Sequence, residues 1–371
     1  MKISIITYHN ARNYGAILQS YALQSFLKEQ EDVEDVDFIP YYPSYLEKRY
    51  NPFRLDYFKG FFINNPMKGM LSYIFCSTCL TLRNISFDRS IKHLLNQKGR
   101  FIKKSSDITG CCDLLVCGSD QIWNKGITGA YDKAFFGLGN YKAIKRKISY
   151  AASTELTNFS GSDSEELKDL LSNLDYISVR EEGFKNMLSK IVNRPISVCI
   201  DPTLLCGASA FKKIARSKYK NRYVLVYAYD PNDPLIQSMI RTIPNNSTYD
   251  VHYLLLGQPT PKQAFDSKYH FYASVEEFLG LFQMADYVVT NSFHGLAFSL
   301  LFEKNFNITL VQGKQGRCVS LLESLQLTSR FYSSCECVNW DGVDYEIVNE
   351  RLESLRKSSK EYLLRVIKEI Q

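Results

Sequence analysis

Apolar positions along the chain follow two rhythms. Short continuous runs of apolar or β-branched residues, Ile3 to Tyr8, Val33 to Ile39, Asp113 to Cys117, Lys147 to Ala152, Tyr176 to Val179 and Ile196 to Ile200, read as parallel strands covered on both faces. Between the first two, Ile17, Leu18, Tyr21, Ala22 and Leu27 recur at helical spacing up to Lys28, which closes a βαβ unit. Beyond Pro202 and the polar stretch Lys212 to Arg222 the alternation restarts. Strand Tyr223 to Tyr227, a helix from Pro234, strand Val251 to Leu256, helix Val275 to Met284, strand Tyr287 to Thr290, a helix from Gly295 and strand Ile308 to Val311 follow in turn. The pattern predicts an α/β protein of two doubly wound, Rossmann-like lobes, 1–205 and 206–344. A last helical segment, Tyr345 to Ile370, is expected to pack 345–371 back on the first lobe.

One stretch breaks the rhythm. Residues 41–89 interleave Tyr41, Tyr42, Tyr45, Tyr50, Phe53, Tyr57, Phe58, Phe61 and Phe62 with Lys48, Arg49, Arg54, Lys59 and Lys68. This texture predicts an excursion from the first sheet. It reads either as a satellite core beneath a long loop or as a surface for an anionic membrane.

Composition narrows the classes. The 371 residues suit two domains, and 45% hydrophobic against 23% charged residues exclude a disordered chain. A net charge of +6 is too modest at this length to argue for nucleic acid and suits an anionic substrate or the surface of an anionic membrane. The first residues lack a signal-peptide core and no run reaches the length of a membrane span. A cytoplasmic protein is therefore expected, with any membrane contact peripheral at the inner face and the ten cysteines reduced. Cys76-x-x-Cys79 and Cys335-x-Cys337 lack the short knuckle of a zinc site, so no metal is expected.

Ligands of open parallel sheets bind beyond the carboxyl ends of strands. Residues at those ends include Asn13, Gly15, Ser119, Asp120, Gln121, Arg180, Glu181, Asp201, Ser292, His294 and Gly295. The first loop has one glycine where a dinucleotide fingerprint needs three, and Gly15 reads as a residue of a tight turn. Asp120 reads equally as a base or as a helix N-cap, and Asp201-Pro202 as an architectural turn between lobes.

Six stretches carry a family likeness: NYGAILQSYALQ (13–24), LLVCGSDQIWN (114–124), ISYAAS (148–153), ISVREE (177–182), CIDPTLL (199–205) and MADYVVTNSFHGLAFSLLF (284–302). In this order they resemble the bacterial polysaccharide pyruvyltransferases, whose lobes are arranged like those of GT-B glycosyltransferases around a cleft. The resemblance implies transfer of the enolpyruvyl group of phosphoenolpyruvate onto a sugar hydroxyl pair as a ketal, in capsular or exopolysaccharide biosynthesis. A galactose-type acceptor, free or lipid-linked, is expected, with phosphoenolpyruvate as co-substrate and no cofactor. His294 is then expected to contact phosphate and move a proton. Arg180, Ser292, Gly295, Lys314 and Arg317 are expected around the donor. Asp120 is the expected base for the acceptor, and Asn13, Gly15, Ser119, Gln121 and Trp123 its expected contacts.

Many relatives have Arg where this chain has Ser292, so Arg180, Lys314 and Arg317 are the candidate replacements. Two other functions fit the same lobes. A nucleotide-sugar glycosyltransferase needs a second-lobe carboxylate for the ribose, for which Glu276 and Glu277 are nearest; a sugar-binding member without catalysis has its one hint in Ser292.

Overall fold

The computed structural model describes residues 1–55, 66–155, 158–159, 161–219, 222–309, 316–333 and 338–370. Strands are numbered in chain order: β1 (Lys2–Ile6), β2 (Asp35–Phe38), β3 (Thr109–Cys111), β4 (Leu114–Asp120), β5 (Asn140–Lys142), β6 (Arg146–Ala152), β7 (Ile177–Val179) and β8 (Ile196–Val198) build the first lobe. The second lobe holds β9 (Tyr223–Ala228), β10 (Asp250–Leu255), β11 (Tyr287–Thr290) and β12 (Asn305–Ile308). Six strands form one parallel sheet in the order β2-β1-β4-β6-β7-β8, and four form another in the order β10-β9-β11-β12. The register Ile3↔Leu114 and Val116↔Ile148 at the centre of the first sheet pairs residues buried on both faces, which is why these strands read as unbroken apolar runs. The two lobes face each other across a cleft lined by residues of both.

The helices that shape the cleft are α1 (Tyr14–Lys28), α2 (Ser44–Tyr50), α3 (Pro66–Leu94), α4 (Pro202–Lys212), α5 (Val275–Met284), α6 (Phe293–Leu301), α7 (Gly316–Ser324) and α8 (Tyr345–Ile370). Asp201 opens α4 by accepting from Thr203 N at 2.9 Å, with Pro202 pre-set for the first turn. The lobe boundary expected between 205 and 206 falls inside this helix, which bends where Gly207 takes φ 71°.

The lobes share a core. Tyr14 of α1 is fully buried, stacks on Phe278 of α5 with centroids 4.5 Å apart, and donates to Ala273 O at 2.8 Å. Helix α8 ties both lobes from behind: Tyr345 OH donates to Lys304 O in the second lobe, and Tyr362 OH donates to Ser149 O at 2.8 Å in the first.

Two expectations change. The last strand occupies Asn305–Ile308 rather than Ile308 to Val311, and Val311 lies outside the described residues. Asn305, half-buried, and Asn307, buried, hide the strand from an apolar search because their amides donate to the carbonyls of Trp340 and Asn339 at 2.9 and 2.6 Å. The 41–89 excursion is α2 followed by α3, which runs on to Leu94 and touches the second lobe through Ser90 Oγ on Glu276 Oε2 at 2.7 Å. Tyr41 and Tyr45 turn inward and donate to Asp132 Oδ2 at 2.8 and 3.0 Å. Phe53, Leu55, Met67, Met70, Leu71 and Ile74 stay exposed, while Tyr57, Phe58, Lys59, Phe61 and Phe62 lie outside the described residues. No described helix is long and apolar enough to cross a membrane.

Candidate active site

A cavity of about 320 Å³ opens between the carboxyl ends of the two sheets. The first lobe supplies Asn13, Asp120, Gln121 and Glu155, α2 supplies Arg49 and Tyr50, and the second lobe supplies Tyr227, Ser292, His294 and Arg317.

His294 is the point where the lobes touch. It sits in the first turn of α6, 8% exposed, and its ring lies against Gly15 of α1 so closely that a Cβ on Gly15 would fall 2.0 Å from Nδ1. Gly15 is thus required by this close approach, not by the tight turn expected of it. Behind the ring, Nε2 lies 3.9 Å from Oδ2 of Asp201, the cap of α4. The imidazole therefore stands where the amino ends of α1, α4 and α6 meet, and three helix dipoles present their positive ends to one spot. Ser292 caps α6 in position, yet its side chain takes none of the first N–H groups, leaving that end open to an anion.

Burial pushes the His294 pKa below its usual 6.5, with Arg180 and Arg317 acting in the same direction and Asp201 and Asp120 opposing. The net effect favours the neutral ring. Nε2 has no hydrogen-bond partner among the described residues.

Arg180 is not at the cavity wall where a donor contact was expected. It is buried beneath, pairs with Asp201 Oδ2 at 2.7 Å and donates to Ser119 Oγ at 2.6 Å. Ser119, expected to meet the acceptor, is also below the floor, because its hydroxyl donates to Ala151 O at 3.0 Å while accepting from Arg180. Next to them Glu181 accepts from Ser153 Oγ at 2.7 Å, and burial pushes its carboxyl up to about 6.

Arg317 does reach the cavity. It donates to Glu155 Oε1 across the cleft at 3.3 Å and lies over the Phe293 ring, which the Arg180 guanidinium and the His294 ring also approach. Lys314 lies outside the described residues. Gly295 is needed for packing rather than for a ligand, since a Cβ there would meet Thr290 Oγ1 at 2.0 Å.

On the facing wall Asp120 ends β4 with φ 80° and lines the cavity; the helix that follows is capped by Asn124 instead, so the N-cap alternative for Asp120 fails. Gln121 lines the cavity and donates to Glu155 Oε1 at 2.7 Å. Asn13 both faces the cavity and caps α1 through Ala16 N at 3.2 Å. Trp123, expected to stack on a sugar, is a core residue: 1% exposed, stacked on Phe136 and donating to Phe135 O at 3.1 Å.

Sequence reasoning missed Glu155, Arg49 and Tyr50, and read Asp201 as a turn. Asp201 carried a signal in its strand-end position; Glu155 lies just past the strand ending at Ala152 and shared that signal. The glycosyltransferase reading loses its two carboxylates. Glu276 is held by Ser90 and by His93 Nδ1 at 3.3 Å, and Glu277 accepts from Ser274 N at 3.0 Å in a capping box; neither lines this cleft. Among the described residues no three His, Cys, Asp or Glu side chains are grouped to hold a metal, and Cys335 and Cys337 lie outside them.

A UDP-N-acetylglucosamine 2-epimerase from Listeria monocytogenes, described as putative, is 12% identical, covering 97% of this chain and 89% of that one with a TM-score of 0.43. The UDP-GlcNAc 2-epimerase of Methanocaldococcus jannaschii is 14% identical with 99% of each chain covered and a TM-score of 0.43. The Escherichia coli heptosyltransferase WaaC with ADP is 10% identical, covering 96% and 100% with a TM-score of 0.38. No curated protein sequence matches the chain significantly. The family model for polysaccharide pyruvyl transferases matches residues 13–308, from the Asn13 cap of α1 to the last residue of β12, and the chain belongs to that family.

Proposed function

We propose that this transferase takes phosphoenolpyruvate as donor and builds a pyruvate ketal on two hydroxyls of a galactose-type residue, in the synthesis of a capsular or exopolysaccharide. The observation that carries this reading is His294 at the meeting point of three helix amino ends, with Arg317 beside it and Asp201 behind. A donor with a carboxylate and a phosphate needs such a concentration of positive potential, together with one group able to pass a proton.

In this scheme the donor phosphate lies at the open end of α6 with Arg317 as its charged partner, taking the role that relatives give to Arg at the position of Ser292. Asp120, on the opposite wall, accepts the proton of the first acceptor hydroxyl. His294 handles the proton of the enol carbon and of the departing phosphate, and Asp201 steadies the imidazolium. The balance closes without a redox partner: of the two hydroxyl protons, one ends on the methylene carbon, making it methyl, and the other leaves with hydrogen phosphate. Two C–O bonds form, one C–O bond to phosphate breaks and the carbon–carbon double bond is consumed.

The test is phosphate release from phosphoenolpyruvate with a panel of galactosides, glucosides and N-acetylmannosamine glycosides, the ketal product identified by its mass. Release with none of them ends this reading. Arg317→Ala should raise the donor KM strongly while Ser292→Arg lowers it; unmoved donor kinetics in both variants would place the anion clamp elsewhere.

The outward-facing Phe53, Leu55, Met67, Met70, Leu71 and Ile74 support a further proposal, that the acceptor is presented on a lipid carrier and the protein rests peripherally on the inner face of a membrane. Flotation with liposomes of anionic lipid checks it: a protein that stays unbound at low salt has no such contact.

A further inference from the structure

The loop after β1 has two faces. Tyr8, Ala11 and Asn13 look into the cleft, whereas Asn10 and Arg12 line a second cavity of about 400 Å³ on the other side of the same loop. The wall between the two cavities is thin: the Arg12 guanidinium lies 6.0 Å over the ring of Tyr50, which itself lines the cleft.

This second cavity has a mixed chemistry. Phe101 is 55% exposed and tilts against Tyr42 with ring centroids 5.4 Å apart, giving an open aromatic face backed by Ile91 and Leu95. Around it stand planar and charged hydrogen-bonding groups. Arg12 donates to Tyr42 OH at 2.9 Å and pairs with Asp88 at 3.0 Å, yet its Nε is buried without a partner among the described residues. Gln97 and Lys92 line the rim, and Lys92 makes no ion pair among the described residues. A pyranose ring asks for this combination: an apolar face of C–H groups to lie on an aromatic ring, and an edge of hydroxyls to exchange hydrogen bonds with guanidinium, carboxylate and amide.

We propose that the Phe101–Arg12 cavity is a second saccharide subsite, holding a sugar unit of the acceptor one or more residues away from the unit that receives the ketal, with Lys92 favouring a unit that carries a negative charge. The proposal rests on the pyruvyl-transfer reading of the main cleft and extends it: the acceptor chain crosses the Asn10–Asn13 loop between the two cavities. An extended acceptor therefore gains affinity that a single sugar does not.

The experiment compares monosaccharide glycosides ending in galactose, glucose or N-acetylmannosamine with trisaccharides of the same terminal sugar, measuring phosphate release by the full chain. For the accepted sugar, the trisaccharide should be preferred, and Phe101→Ala should raise its KM about tenfold while leaving the monosaccharide and donor KM unmoved. Lys92→Ala should raise KM only for trisaccharides with an acidic unit. A wild-type protein indifferent to acceptor length, or a preference that survives in the Phe101→Ala, Lys92→Ala double variant, overturns the subsite. If no acceptor of either length supports phosphate release, the pyruvyl-transfer reading fails separately. Saturation-transfer NMR on the same trisaccharides then decides: signals abolished by Phe101→Ala keep the subsite, and their absence in the wild type removes it.

Discussion

His9 and His294 each follow a central parallel strand, β1 in one lobe and β11 in the other, and both are nearly or wholly buried. Their surroundings differ in one respect. His9 is satisfied: Nδ1 donates to Thr7 O at 3.0 Å, Nε2 accepts from Asn10 Nδ2 at 2.7 Å, and the ring stacks on Phe38 with centroids 4.6 Å apart. His294 has an Nε2 without a hydrogen-bond partner among the described residues, a carboxylate held 3.9 Å away and an open cavity beside it. Burial lowers both pKa values, His9 to about 4. Burial and strand-end position therefore do not separate the two histidines; unused hydrogen-bonding capacity next to a cavity does, and the proposed proton-transfer role of His294 rests on it.

The sharpest way to break this comparison is His294→Ala. It should lower ketal formation by roughly 10²-fold to 10⁴-fold, the usual loss for one proton-transfer group, with the melting temperature nearly unchanged. More than half the wild-type rate in the variant would make His294 another His9.

Gly15→Ala comes next. The added methyl cannot coexist with the ring 2.0 Å away, so His294 must move, and a displacement of that order costs about 10²-fold in rate. Wild-type turnover by this variant would show that the ring position is not critical.

His9→Ala tests the other side. It should cost about 3 kcal/mol of stability by opening a cavity and stranding the Asn10 amide, measured by denaturant unfolding, while turnover per folded molecule stays within about twofold. A collapse of turnover with stability intact would reverse the two assignments.

The smallest effects are in pH. Because the His294 pKa is depressed, the acid limb of the rate profile should lie below pH 6.5, with activity lost as the imidazole takes its proton. For His9 the folded pKa lies below the unfolded one, so the unfolded chain binds more protons between pH 6.5 and about 4. Its stabilising contribution is full above pH 6.5 and shrinks on acidification, by up to about 1.4 kcal/mol per pH unit. Urea midpoints measured across that window should fall less steeply in His9→Asn than in the wild type.

Much of the fold was legible because its signals are local. Continuous apolar runs marked the double-sided strands, and the helix expected from Pro234 starts there, whereas Asp201-Pro202, read as a turn, opens a helix at Pro202. Where polar side chains are satisfied by remote carbonyls, as Asn305 and Asn307 are by Trp340 and Asn339, the strand signal vanished. The site was legible as a set of strand ends but not as a set of directions. Asp120, Gln121 and Trp123 are close in sequence, yet the first two face the cavity and the third packs on Phe136.

By itself the sequence determined two parallel α/β lobes and the list of polar residues beyond the strands from which a site had to be drawn. Only the tertiary structure decided which of them act together. It set the His294 ring on Gly15, put Asp201 behind it, sank Arg180 and Ser119 beneath the floor, and carried Arg317 across to Glu155. The reason is physical: propensity and periodicity are fixed by neighbours in the chain, whereas an unpaired donor, a missing Cβ or a shared dipole field exists only once distant segments have packed.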